Sequence, residues 1–375
     1  SRFNWFEIFY FGRIKIIIII FIFMNIKITG TGSYIPATIE KNEDFHNHEF
    51  LNSDGSAINA PNEVIVKKFK AITGIAERRY AKKHLNTSDI ASFAAEKAID
   101  NAKINREELD YIIVAHNYGD VRHDSIQSDT VPSIASRVKH LLRIKNPKCV
   151  GYDLLFGCPG WVEGVIQANA FIKSGIAKKC LVIGAETLSR ILDPHDRDSM
   201  IYSDGAGAVI IESTDDKGGI IAHESATYAL DEAHFIYFGE TNNQDSEDDR
   251  RYIKMYGRKI YEFALTNVPI AMKSCLDKSG INISDVKKIL IHQANEKMDE
   301  AIVKRFYNLY NMEMPKNIMP MSIGKLGNSS VATIPTLYDI ILNDDMENQE
   351  INKGDVIIFA SVGAGMNINA IVYKQ

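Results

Sequence analysis

One cysteine, one histidine and one asparagine in this 375-residue chain stand where the local pattern gives each a chemical use. Cys158 follows an extended apolar run, residues 150–156, and Gly157, which permits a tight turn. Pro159 suits the first position of a helix. The residues that follow (Trp161, Val162, Val165, Ile166, Ala168 and Phe171 among them) are apolar around most of that helix, which predicts a central element. A thiol at a helix N-terminus feels the macrodipole and the unpaired amides, and both favour the thiolate. The plain alternative is a core cysteine, since free cysteine is among the most buried residue types. Cys149, Cys180 and Cys275 read that way.

His292 ends the apolar run Ile289-Leu290-Ile291, and functional groups of open α/β sheets collect at the carboxyl ends of strands. A core histidine bonded to backbone is its other reading. Asn328 sits in Gly324-Lys325-Leu326-Gly327-Asn328-Ser329-Ser330, a glycine-rich turn opening a helix, where an ordinary capping asparagine is the bland reading. The glycine pattern Ser361-Val362-Gly363-Ala364-Gly365, placed after the last strand, lets backbone amides approach a ligand closely.

These residues need a scaffold, and the chain repeats one. At a constant offset Ile104, Asn105, Leu109 and Ile112-Ile113-Val114 match Ile281, Asn282, Val286 and Ile289-Leu290-Ile291. Each block follows a helical stretch, residues 89–102 in one case and 268–278 in the other. Residues 179–184 match 354–359 at nearly the same offset. Short apolar runs alternating with helices imply α/β layering, so the reading is an internally duplicated α/β protein with halves 24–214 and 215–375. Residues 1–23 form an apolar leader expected to lie outside the fold, with Met24 as the natural start. Its unbroken apolar run, residues 16–24, is short of the roughly 20 residues a membrane helix needs. A membrane-associating leader is the other reading.

Composition narrows the class. The chain is 45% hydrophobic and 24% charged with a formal net charge of −5, and no extended basic tract invites nucleic acid. Four irregularly spaced cysteines with no C-x-x-C pair fit a reduced, cytoplasmic protein, neither disulfide-framed nor zinc-bound. The acidic run Asp245-Ser246-Glu247-Asp248-Asp249 reads as a solvated loop, and no metal or cofactor is expected.

Along residues 24–375 the chain resembles the beta-ketoacyl-ACP synthase III family of the thiolase superfamily. The carrying motifs are Gly30-Thr31-Gly32-Ser33-Tyr34-Ile35-Pro36, Thr73-Gly74-Ile75 with Glu77-Arg78-Arg79, and Gly157-Cys158-Pro159-Gly160. Further along come Asp193-Pro194-His195-Asp196-Arg197, Asp204-Gly205-Ala206-Gly207-Ala208, His292-Gln293-Ala294-Asn295 and Gly327-Asn328. The resemblance implies a five-layered α-β-α-β-α fold, a homodimer, and decarboxylative condensation of an acyl thioester with malonyl-ACP in fatty-acid synthesis. It assigns Cys158, His292 and Asn328 as the catalytic triad, and the backbone amides of Cys158 and Ala364 as the oxyanion hole. It places Arg197, Val131, Asn295 and Gly363 at the substrate.

The sequence also departs from the family. Lys68 and Ile72 stand where acetyl-CoA-primed members clamp adenine with an aromatic residue and an arginine. The donor is therefore open between acyl-CoA and acyl-ACP, and the pathway between fatty-acid initiation and aryl-polyene, alkylresorcinol or polyketide synthesis. Residues 41–62 are longer and more polar than usual for the family. Val131 replaces a common phenylalanine that crosses the dimer interface to close the partner's acyl tunnel. Acyl carrier proteins are acidic, so docking needs a basic patch, for which Lys297, Lys304 and Arg305 are the candidates. Two other classes compete: a papain-like cysteine hydrolase, where Cys, His and Asn occur in the same order, and a non-catalytic ketosynthase partner subunit, which typically loses the nucleophile that Cys158 supplies here.

Overall fold

The computed structural model describes residues 7–11, 14–18, 25–125, 127–247, 249–343 and 345–375. Most of the expected leader and Met24 lie outside the described residues. In chain order β1 (Glu7–Phe11) and β2 (Ile14–Ile18) precede the first half, which holds β3 (Asn25–Tyr34), β4 (Thr38–Lys41), α1 (Asn62–Thr73), β5 (Glu77–Tyr80) and α2 (Thr87–Ala102). Then come β6 (Tyr111–Ala115), α3 (Ile134–Leu141), β7 (Val150–Leu154), α4 (Gly160–Lys173), β8 (Lys179–Thr187) and β9 (Asp204–Thr214). The second half runs β10 (Gly219–Thr227), β11 (Ile236–Gly239), β12 (Tyr252–Met255), α5 (Gly257–Ser279), β13 (Val286–Ile291) and α6 (Glu296–Asn308). It closes with α7 (Ile323–Leu326), α8 (Thr333–Leu342), β14 (Val356–Gly363) and β15 (Asn367–Lys374).

Two mixed sheets carry the fold, in the orders β3-β9-β8-β6-β7 and β10-β15-β14-β13. The second repeats the first four positions of the first, strand for strand. The matched asparagines are equivalent as well. Asn105 accepts from Glu107 N–H and Asn282 from Ser284 N–H, each capping a short 3-10 turn that leads into β6 or β13. The hairpin of β1 and β2 forms a two-stranded sheet of its own.

Three apolar clusters separate five layers. Helices α2 and α3 pack one face of the first sheet through Ile90, Ala94, Ile134 and Val138. On the outer side of the second sheet, α5 and α6 bury Val268, Met272, Ile302 and Phe306. Between the sheets lie α4 and α8, whose Trp161, Val165, Leu337 and Tyr338 share one cluster with strands of both. An all-round apolar helix has to be covered on every side, which is why α4 is central.

Four local expectations need correction. The extended apolar run 150–156 is a strand only as far as Leu154, and β7 is a half-buried strand on the edge of its sheet. Pro159 caps α4, which begins at Gly160. The helix expected over 268–278 starts at Gly257, because its pattern continues through Pro269, where proline removes one backbone bond without ending the helix. The glycine pattern at 361–365 spans the end of β14 and the turn into β15, not the end of the last strand.

Candidate active site

Each candidate residue is held by backbone before its side chain does anything. Gly157 takes φ +66°, a left-handed turn between β7 and α4 that sets Cys158 at the head of the central layer. His292 lies one residue past β13, its N–H donating to Ala360 of β14 at 2.9 Å. Asn328 is bridged to the loop before β9: its N–H donates to Ile201 at 3.0 Å and its carbonyl accepts from Ser203 at 2.9 Å. Cys158, His292 and Asn328 line one cavity of about 610 Å³.

Two glycines bring backbone from opposite halves into contact there. A Cβ on Gly157 would lie 2.6 Å from the Ala364 nitrogen, and one on Gly363 would lie 2.5 Å from the Cys158 nitrogen. Neither fits a side chain. The Cys158 and Ala364 amides therefore approach each other across a join of the two halves.

The side chains are oriented by neighbours the sequence reading did not single out. Ser330 N–H donates to Asn328 Oδ1 at 2.8 Å, leaving the Asn328 amide nitrogen to donate elsewhere. Ser330 Oγ lies 3.4 Å from Cys158 Sγ, and Asn117 Nδ2 donates to Ser330 Oγ at 3.1 Å and to Glu186 Oε1 at 2.5 Å. His292 Nδ1 and Thr333 Oγ1 are 2.7 Å apart, so Nε2 is the ring nitrogen left for a ligand. A charged residue inside the otherwise apolar β8, Ile183-Gly184-Ala185-Glu186, was the available signal for Glu186.

Burial dominates the electrostatics. The Cys158 thiol is pushed up to about 11, first by desolvation, with the Ser330 hydrogen bond opposing it and Glu186 adding to it. The value is raised, not depressed as expected from the helix terminus, because desolvation exceeds the lowering by the hydrogen bonds at the thiol. Desolvation also pushes His292 down to about 3, so its imidazole is neutral. Glu186 is raised to about 7 by the same cause, partly offset by His116 and Asn117.

Arg197, Asn295 and Gly363 line the cavity, as do Lys68 and Ile72. Asn295 also caps α6, accepting from Met298 N–H at 3.1 Å. Buried Lys254 ties the Arg197 loop to β12, reaching Asp193 at 2.5 Å and Asp196 at 3.0 Å. The polar segment 41–62 buries Phe45 and Phe50 and sends Ile58 and Ala60 to the cavity wall. The β11–β12 hairpin closes another side with Ile236, Phe238, Ile253 and Met255. Val131 does not line this chain's cavity; it is 86% exposed.

On α6, Lys297 and Lys304 are exposed. Arg305 is exposed beside them, and its Nη1 also donates to Leu265 O at 3.1 Å. That carbonyl is four residues before Pro269, which has no N–H to offer it. Among the described residues no cluster of His, Cys, Asp and Glu could hold a metal, and no helix is long and apolar enough to cross a membrane.

Residues 152–229 match the 3-oxoacyl-[acyl-carrier-protein (ACP)] synthase III family, and residues 276–375 match its C-terminal domain. The chain is 32% identical over 343 residues to beta-ketoacyl-[acyl-carrier-protein] synthase III 1 of Vibrio vulnificus, covering 91% of this chain and 97% of the relative. It is 33% identical over 355 residues to beta-ketoacyl-[acyl-carrier-protein] synthase III of Clostridium perfringens, covering 93% and 99%. The crystal structure of 3-oxoacyl-[acyl-carrier-protein] synthase III from Aquifex aeolicus superposes with a TM-score of 0.77 at 29% identity, over 93% of this chain and all of that one. The duplicated sheets leave no room for the papain-like reading.

Proposed function

This chain belongs to the beta-ketoacyl-[acyl-carrier-protein] synthase III family, and from that premise we propose that Cys158, His292 and Asn328 carry its condensation reaction. It is an acyltransferase of the 3-oxoacyl-ACP synthase III type, acting in fatty-acid biosynthesis. The observation that supports the residue roles is their convergence on one cavity where Gly157 and Gly363 press two backbone amides together.

Cys158 Sγ attacks the thioester carbonyl of an acyl donor, and the carrier or CoA thiol leaves with a proton. The amides of Cys158 and Ala364 receive the tetrahedral oxyanion. Malonyl-ACP then loses CO2, and the electron pair of the broken bond becomes an enolate whose oxygen accepts from Asn328 Nδ2–H and from His292 Nε2–H, in the tautomer whose Nδ1 accepts the Thr333 hydrogen that otherwise goes to Ser330 O. A neutral histidine suits this step, because it donates without requiring a proton to be stored in a dry site. The enolate carbon attacks the acyl-Cys158 carbonyl, and the thiolate departs as the 3-oxoacyl product forms.

The enzyme acts in the cytoplasm as a homodimer. The half-buried edge strand β7 and the exposed Val131 before α3 support a partner on that side. Lys297 and Lys304 on α6 receive the acidic carrier. A specialised ketosynthase role is favoured by one observation: Lys68 and Ile72 stand at the cavity with an apolar wall behind them, a poor clamp for an adenine ring. Intact-protein mass spectrometry after incubation with acyl-CoA and acyl-ACP donors tests the reading. The mass of one acyl group should appear on Cys158; a protein that stays unmodified with every donor while malonyl-ACP is not decarboxylated would refute it.

A further inference from the structure

The Cys158 thiol poses a problem for its own role. At about 11 it is almost wholly protonated near neutrality, and a thiol is a poor nucleophile. The groups whose charge bears on it are Glu186 from β8, Tyr118 from the loop after β6, and Tyr202 before β9, with neutral His292 lining the same cavity. None of them is a cation. Help for the thiolate has to come from hydrogen bonds.

We propose that Asn117 and Ser330 form a one-way hydrogen-bond chain, anchored on Glu186, whose last hydrogen points at Cys158 Sγ and favours the thiolate over the thiol. This rests on the reading of Cys158 as the nucleophile and supplies what that reading lacks.

Donor bookkeeping sets the direction. Glu186 Oε1, 2.5 Å from Asn117 Nδ2, is an acceptor, and it turns the Asn117 amide so that its nitrogen faces the carboxyl. The same nitrogen lies 3.1 Å from Ser330 Oγ, so its second hydrogen goes there. Ser330 Oγ then has an acceptor site filled and its own hydrogen free, and Sγ lies 3.4 Å away, within reach for a sulfur acceptor. Glu186 fixes the amide's orientation, and the two links from Asn117 through Ser330 polarise toward the sulfur, where a bond to an ionised acceptor is the stronger kind.

Two further observations favour a built device. Ser330 holds φ +53°, a left-handed conformation unusual for serine, while its N–H is fixed on Asn328 Oδ1 at 2.8 Å. One residue therefore orients both the thiol and the asparagine. Glu186 Oε2 is buried without a hydrogen-bond partner, so a proton taken up there leaves Oε1 accepting from Asn117. The chain keeps its direction in either charge state of Glu186, and the protonated state removes the negative charge that opposes the thiolate.

The test is the pH profile of iodoacetamide alkylation at Cys158, read by peptide mass spectrometry in the full chain. Ser330→Ala should raise the midpoint by about one unit, roughly tenfold less alkylation at a fixed pH below it. Asn117→Ala should raise it by less, in the same direction. Because Asn117 acts through Ser330, the double variant should match Ser330→Ala alone. An unshifted midpoint in Ser330→Ala, or additive shifts in the double variant, overturns the chain. Where Ser330→Ala does not fold, an unshifted profile in Asn117→Ala overturns it equally. Acyl loading of the unmodified protein is measured alongside. Absent loading would refute the nucleophile assignment, while the profiles still decide whether the chain polarises the thiol.

Discussion

The Gly157 turn and the Ala364 backbone are in direct contact, with no room between them for even a methyl group. Gly157→Ala faces a contact of 2.6 Å with the Ala364 nitrogen as well as a left-handed φ. The expected outcome is displacement of the Ala364 amide and a loss of roughly 10²–10³ in the rate of Cys158 acylation, the usual cost of one oxyanion donor. Stopped-flow acylation with circular dichroism as the fold control measures it. Wild-type acylation in a folded Gly157→Ala protein would remove Ala364 from the oxyanion site.

The two half-reactions separate by residue. Cys158→Ala should lose acyl loading and keep decarboxylation of malonyl-ACP, since His292 and Asn328 remain. His292→Ala should keep loading and lose roughly 10²–10³ in decarboxylation. Radiolabelled CO2 release against acyl-protein mass reads both, and condensation by Cys158→Ala at the wild-type rate would contradict the assigned nucleophile.

His292 also links stability to pH. Its folded value, about 3, lies below the ordinary 6.5, so the unfolded chain binds a proton that the folded site excludes. Its contribution is fully present above 6.5 and is lost as pH falls toward 3. Between pH 7 and pH 5 the wild type should lose about 2 kcal/mol relative to His292→Asn. Glu186, raised to about 7, gains stability over the same interval, but it is common to both proteins and cancels. Urea midpoints at the two pH values give the difference, and parallel curves would show that the imidazole accepts a proton in the folded state.

Carrier docking on α6 predicts a salt-dependent KM. Lys297→Glu with Lys304→Glu should raise KM for malonyl-ACP severalfold at low salt and less at high salt. Arg305→Gln serves as a contrast, because its Leu265 contact predicts lower stability without the salt dependence. Equal KM values at low salt would place the carrier elsewhere.

Chain length is read through Val131. On the proposed reading that Val131 meets a partner's tunnel, a valine in place of a ring would leave room for roughly three more methylenes, each adding about 0.8 kcal/mol, enough for more than a tenfold preference. The protein should load octanoyl faster than acetyl, and Val131→Phe should reverse the order. Acetyl preference in both proteins would take Val131 out of the tunnel.

Much of the scaffold was legible because burial leaves a period in the sequence. The match of Ile112-Ile113-Val114 to Ile289-Leu290-Ile291 located two equivalent strands, and the capping asparagines at 105 and 282 fell in register. Cys158, His292 and Asn328 were visible because each stands at the end of a strand or in a glycine turn. Asn117, Ser330 and Thr333 were not, since they act by contacts between segments far apart in the chain, and Glu186 showed only as a charge inside an apolar strand. The Cys158 thiol misled for a related reason: a helix terminus is local and readable, whereas desolvation is set by everything packed around it. Arg305 is a surface cation as its sequence suggested, but its bond to the carbonyl that Pro269 leaves unpaired, on another helix, has no local sequence signal.

The shared middle layer has a consequence for how the chain folds. Helices α4 and α8 come from different halves, yet each completes its packing only when both sheets are present. Each half buries the outer face of its own sheet, but the middle layer belongs to both, so residues 24–214 and 215–375 are expected to fold together. Denaturation should proceed as one cooperative transition, and a translating ribosome must release β15 before the layer holding Cys158 can close.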